Sequence, residues 1–245
     1  MILRPHAEGT LAIGQPAHAR LAADLARAWA WPFSPRGDVI LAALQHDIGM
    51  AAWDAEPVLD PATGLPYTFT SMPRAMHVGL WSRAAPLVVA QSAYAALLVS
   101  MHGTGLYHRY VSEQERSQEP ARSYLQAEAA FQHDLARRLG ADPGELQRNA
   151  ALLACWDWMS LFACTASSDR TTVEGVPEAA DGRLQLEWRD RDAGQIVIEP
   201  WPFAEPALTL SVEGRLLSAT YRDQAALHAA LAAAPLAHVN LTATA

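Results

Sequence analysis

Nine histidines occur in the chain, and the placement of four of them beside two carboxylates is its most informative chemical feature. His18, His46, His77 and His102 fall on separate segments of helical periodicity, with His108 as a weaker fifth. Asp47 directly follows His46, and Asp157 stands inside Leu152-Leu153-Ala154-Cys155-Trp156-Asp157-Trp158. A carboxylate between two tryptophans in an apolar helix is costly to bury unless something pairs with it. No arginine lies within a helical turn of Asp157, so its partner has to come from another segment. Imidazoles combined with carboxylates are a donor set for Fe, Mn, Zn, Ni or Mg. Such a set leaves coordination positions open for water, which a divalent ion turns into a nucleophile.

The His-Asp dipeptide alone carries little information. Chance alone would produce it about once in two chains of this composition. It occurs twice here. His133-Asp134 lies in a polar stretch beside Ala136, Arg137 and Arg138, with no further ligand types near it, and reads as accidental. His46-Asp47 is followed by Ile48-Gly49 at a helix end and opens onto a loop, Trp53 to Pro73, expected to overhang the centre. In that loop Asp54 and Glu56 are candidate general acids or bases. Trp53, Tyr67, Phe69 and Trp81 are candidate pocket walls, and Arg74, Arg83 and Arg109 are candidate anchors for an anionic substrate, with Arg74 the first choice.

The elements that must position these residues are legible as two textures. From Gln15 to Thr165 apolar residues recur at helical spacing, as in His18, Leu21, Ala22, Leu25 and Trp29. Asp38 is expected to cap a helix over Val39 to Met50. Further helices are expected over Arg74 to Ala85, Pro86 to His102, Ser112 to Leu139 and Asp142 to Thr165. Gly103-Thr104-Gly105 and Gly140 read as helix ends. From Gly182 the pattern alternates, as in Arg183-Leu184-Gln185-Leu186-Glu187-Trp188, and Glu213-Gly214 reads as a hairpin turn. Asp223 to Ala233 reads as a helix and Ala237 to Thr242 as a closing strand. The expectation is a mainly α chain: a helical metal-binding body over 1–168, then a β-rich extension over 182–245 packed on it as a lid or a homodimer surface.

Composition narrows the chemistry. The 245 residues are 51% apolar and 18% charged, enough for a sizeable core. The formal charge of −8 disfavours phosphate backbones and anionic lipid, so no nucleic-acid or membrane partner is expected. All 18 basic residues are arginine, which excludes a P-loop lysine, a Schiff-base lysine and a Ser–Lys dyad. Cys155 and Cys164, nine apart on one helix, form no disulfide framework. No signal peptide stands at the N-terminus, and the most apolar stretch, Ala84 to Met101, is interrupted by Gln91, Ser92, Tyr94 and Ser100. A cytoplasmic location follows as the expectation.

The ordered set His18, His46-Asp47, His77, His102, Asp157 resembles the HD-domain superfamily of metal-dependent phosphohydrolases, over roughly Gln15 to Thr165. The phrases around His18, His46 and Asp157 are similar to an uncharacterised bacterial branch of that superfamily over the full chain. The resemblance implies an HD-like helical bundle holding two divalent ions. Asp47 would bridge them, His18, His46 and Asp157 would hold the first, and His77 and His102 the second. It implies hydrolysis of a small, anionic substrate, most simply a phosphate ester. Met50 stands where many relatives carry a basic residue. Val78-Gly79-Leu80-Trp81 replaces the Gly-Tyr-Pro that follows this histidine in cyclic-di-nucleotide phosphodiesterases, so no particular nucleotide is implied. The alternatives are a di-iron oxygenase on the same scaffold and a non-catalytic metal-binding sensor.

Overall fold

A computed structural model describes residues 1–245. Two short antiparallel strands, β1 (Ile2–His6) and β2 (Gly9–Ile13), precede the helices α1 (Gln15–Ala28) and α2 (Arg36–Gln45). A 3-10 turn, Ile48–Met50, and the short α3 (Ala51–Ala55) follow. A small ribbon of β3 (Leu59–Asp60) and β4 (Leu65–Pro66) leads to α4 (Arg74–Val89) and α5 (Ala93–Tyr110). Next come α6 (Glu113–Arg116), α7 (Ala121–Leu139) and α8 (Pro143–Thr165). The chain closes with β5 (Arg170–Glu174), β6 (Arg183–Asp190), β7 (Gln195–Glu199), β8 (Ala207–Leu217), α9 (Gln224–Ala233) and β9 (Leu236–Thr244). No helix is long and apolar enough to cross a membrane.

Seven strands form one sheet in the order β1-β2-β8-β9-β7-β6-β5, antiparallel except for the parallel β7–β9 pair. About half of the residues are helical and the sheet is curled, so this is an α+β fold. That corrects the expected mainly α, HD-domain-like bundle with a C-terminal β-rich extension. The sheet draws strands from both ends of the chain: Leu11 of β2 lies opposite Leu216 of β8. Five-residue strands, one of them holding Pro5, are too short to stand out by alternation, and their pairing with β8 is invisible to any local pattern. β5 likewise falls between the two expected segments, 1–168 and 182–245.

The inward face of the sheet and the helices share one core. Leu21, Leu25, Trp156 and Phe162 from the helices join Leu184, Leu186, Ile196 and Val212 from the strands. Arg4 on β1 reaches the last turn of α8, where its guanidinium donates to the Ala163 carbonyl at 2.7 Å. A cation is well placed there, because the final carbonyls of a helix carry partial negative charge.

Several local expectations also change. Asp38 does not cap a helix; α2 begins at Arg36, and Asp38 instead accepts from the Ser92 hydroxyl at 2.6 Å. Helix α4 runs through Pro86 to Val89. Helix α5 runs through Gly103 and Gly105 to Tyr110, so His102 lies in its interior and not at its end. The reason lies in packing: a Cβ at Gly103 would meet the Tyr124 hydroxyl at 2.5 Å and Trp81 Cε3 at 2.6 Å. Glycine costs a helix only about 1 kcal/mol against alanine, which this close approach outweighs. Glu213 and Gly214 do not turn; they continue β8 opposite His238 and Ala237 of β9.

Candidate metal centre

His18 sits on the inward stripe of α1 with Leu21, Ala22 and Leu25. That helix starts after Gly14, which has no side chain to cap it, and Asp54 does so from α3 by accepting from the Gln15 N–H. His46 and Asp47 follow the last residue of α2. Consecutive residues of a helix point about 100° apart. Here the helix ends at His46, and Asp47 (φ −106°, ψ 15°) begins the 3-10 turn, so both side chains reach one centre. Gly49 makes room for α4, since a Cβ there would lie 2.3 Å from the Leu80 carbonyl oxygen. α5 contributes His102 and α8 contributes Asp157.

These five groups converge in the interior. His18 and His46 are 0% exposed, Asp47 and His102 4%, and Asp157 5%. The Nε2 atoms of His18 and His46 are 3.1 Å apart. Asp157 Oδ1 lies 3.4 Å from the first and 3.3 Å from the second. Asp47 Oδ2 lies 3.0 Å and 3.6 Å from the same two atoms. His102 Nε2 is 3.5 Å from Asp157 Oδ2 and has no hydrogen-bond partner.

The outer hydrogen bonds decide which atoms face inward. His46 Nδ1–H donates to the Ala43 carbonyl at 2.8 Å. The Ser160 hydroxyl donates to the Asp157 carbonyl at 2.8 Å, so it accepts from His18 Nδ1–H, also at 2.8 Å. Each ring therefore spends its Nδ1 proton outward and turns Nε2 toward two carboxylates. Acceptors facing one another in a dry interior require positive charge among them, from protons or from a metal ion. An ion held at about 2.0–2.2 Å by N and O donors spaces those donors about 3.0–3.6 Å apart, the range these atoms span. The buried His18, His46 and Asp157 group could hold a metal ion.

The electrostatics agree. Burial opposes a charge on His46, yet Asp47 and Asp157 together outweigh it and raise its pKa to about 9. Burial would raise both carboxyls, but the surrounding imidazoles hold Asp47 and Asp157 below the usual carboxylate range. Burial dominates at His102 and pushes its pKa down to about 4, leaving the ring neutral.

Other residues marked by the sequence lie apart from this centre. His77 is half-buried on α4, with Nδ1 bonded to the Tyr107 hydroxyl at 2.9 Å and Nε2 accepting from the Trp81 indole N–H at 3.0 Å. Asp54, read as a general acid or base, has both oxygens engaged: one caps α1, and the other meets the Met1 ammonium at 3.0 Å. These contacts tie α3 and the chain's first residue to the start of the helix that carries His18. Glu56 is exposed, as are Arg83, His108 and Arg109. Arg74 is exposed and tied to Glu115 at 2.7 Å, so its guanidinium already has an anion. Ser160, which orients His18, is not singled out by sequence reasoning. The available signal is its spacing, one turn after Asp157 on the same helix face. Two cavities of about 450 and 470 Å³ are lined by Pro32–Ser34 with the start of α8, and by Arg109, Tyr110 and Trp158 with β5; none of the five converging residues lines either.

No curated protein and no solved structure matches the chain. One family model does, and it spans strands β1 and β2, all of the helices that build the centre, and the sheet through β8. By that match over residues 1–219 the chain belongs to the family described as "Protein of unknown function (DUF3891)".

Proposed function

We propose that this protein is a metal-dependent hydrolase, and by class a phosphohydrolase, with its ion at the His18, His46 and Asp157 centre. The observation that carries the reading is the pair of imidazoles whose Nδ1 protons are both spent outward, leaving two Nε2 atoms against two buried carboxylates. His18, His46 and Asp157 would hold the ion through Nε2, Nε2 and Oδ1, with Asp47 Oδ2 beside both rings. The donor set suits Fe, Mn, Zn or Ni over an all-oxygen ion site. A divalent ion there supplies Lewis acidity, which lowers the pKa of water toward neutrality. Ser160 and the Ala43 carbonyl keep the two rings from turning. His102, neutral and unpaired at Nε2, offers a hydrogen bond to water or to a substrate oxygen. The order His18, His46-Asp47, His77, His102, Asp157 resembles HD-domain hydrolases and favours phosphate esters among hydrolysable groups.

A second reading, a non-catalytic metal-binding sensor, is favoured by the near-complete burial of all five groups, because closed sites are the structural kind. One experiment separates the readings. Protein loaded with Mn or Fe is given a panel of small phosphate esters, in air and under anaerobiosis. Metal-dependent phosphate release under both conditions supports hydrolysis. Retained metal without turnover supports the sensor, and turnover confined to iron-loaded protein in air supports an oxygenase.

A further inference from the structure

Five rings stand in series through the helical half of the molecule. Centroids are separated by 5.0 Å from His18 to His46 and by 4.9 Å from His46 to His102. The series continues at 5.8 Å from His102 to Trp81 and 5.9 Å from Trp81 to His77. The indole is therefore wedged between His77 and the converging group. Its N–H occupies His77 Nε2, and the Tyr107 hydroxyl engages Nδ1, so neither ring nitrogen of His77 is free to bind an ion. The wedge is built in. Trp81 is 6% exposed, and the missing Cβ of Gly103 is what admits its ring against α5.

We propose that Trp81 holds His77 out of the metal centre and so makes it a one-ion site, His77 being part of the wall and not a ligand. This rests on the metal-centre reading above. An imidazole nitrogen that accepts an N–H has its only in-plane lone pair engaged, and a buried indole N–H that lost this acceptor would itself be left unpaired. Recruiting His77 to a second ion through Nε2 therefore leaves the buried indole N–H of Trp81 without its acceptor. Phenylalanine in place of Trp81 keeps an aromatic ring at the wedge but removes the N–H, and frees Nε2.

Metal-depleted wild-type protein titrated with Mn2+ should take up one equivalent per chain, read by elemental analysis and by an uncoupled Mn2+ EPR signal. His77→Ala should leave the affinity for that equivalent within about twofold, because ligand loss costs far more. Trp81→Phe should take up a second equivalent about tenfold or more weaker than the first, with a spin-coupled signal, and adding His77→Ala should remove it. Two equivalents in the wild type, the second lost in His77→Ala, would overturn the inference while the centre itself stands. A Trp81→Phe protein that folds and still binds one equivalent also overturns it. No uptake by the wild type overturns the metal centre and this inference together. If Trp81→Phe does not fold, imidazole nitrogen NMR of the wild type with Zn2+ decides. His18 and His46 Nε2 should move on binding while His77 Nε2 does not, and a His77 shift of similar size overturns the inference.

Discussion

The chain carries the same dipeptide twice, in opposite surroundings. His46-Asp47 ends α2 inside the protein, where the dipeptide meets His18, Asp157 and the approach of α4. His133-Asp134 lies mid-way along α7, where His133 is exposed and Asp134 is held by Arg137 at 3.0 Å and Arg138 at 2.7 Å. Those arginines are on the same helix, one turn on, and both are largely solvated. The difference teaches that a ligand motif is defined by what dries and faces it. In water an imidazole and a carboxylate keep their own hydrogen bonds. In the interior they need a cation, a proton or a donor, and only a few arrangements supply one.

The comparison can be broken most directly by removing the carboxylates. Asp157→Asn and Asp47→Ala should each abolish retention of one ion per chain after dialysis. The stabilisation an ion confers at about 100 times its Kd, about 2.7 kcal/mol, should vanish from the melting curve. Uptake equal to wild type in both variants would show that the buried pair is no better a ligand than the exposed one. Ser160→Ala should act at one remove: it leaves every ligand in place but releases His18 Nδ1. Metal affinity should fall about 10–100-fold in a chelator competition, as for other groups that orient ligands.

The two pairs should also differ in their response to pH. Without metal, His46 is protonated up to about pH 9, well above the ordinary imidazole value near 6.5. A raised folded pKa stabilises fully below the unfolded value and loses its contribution as pH rises through the folded one. The melting temperature of metal-free protein should therefore fall between pH 6.5 and about 9. Over the same window metal should bind more tightly, because it replaces a proton. A metal-free melting temperature that stays level from pH 6.5 to 9 would remove the electrostatic half of the contrast. The smallest expected effect is the control: His133→Ala and Asp134→Ala should leave metal content unchanged and the melting temperature close to wild type.

Parts of this structure were open to sequence reading because their signals are local. Asp142-Pro143 starts α8, with Asp142 accepting from the Glu145 N–H at 2.8 Å, and Gly140 ends α7 at φ 59°. Asp223 caps α9 in the same way. Asp157 was conspicuous because a lone carboxylate in an apolar helix implies a partner, and His18 and His46 stand beside it in the folded protein. Gly103 misled for an equally physical reason. Glycine after a helical run commonly ends a helix, but here it makes room for Trp81 and Tyr124, which lie far from it in sequence.

From the sequence alone follow the helical periodicities, the start of α8 at Asp142-Pro143, the absence of lysine, and the set of imidazoles and carboxylates from which a metal centre can be drawn. The periodicities and the helix start are properties of neighbours within a turn, and the rest is composition. Tertiary structure decided that β1 and β2 join β8 in a sheet spanning both ends of the chain. It placed Asp54 at the start of α1, gave Arg74 to Glu115, and bound His77 to Trp81 and Tyr107. Strand pairing and buried hydrogen bonds are formed between groups brought together only when the core excludes water, and residue spacing along the chain holds no record of which groups those will be.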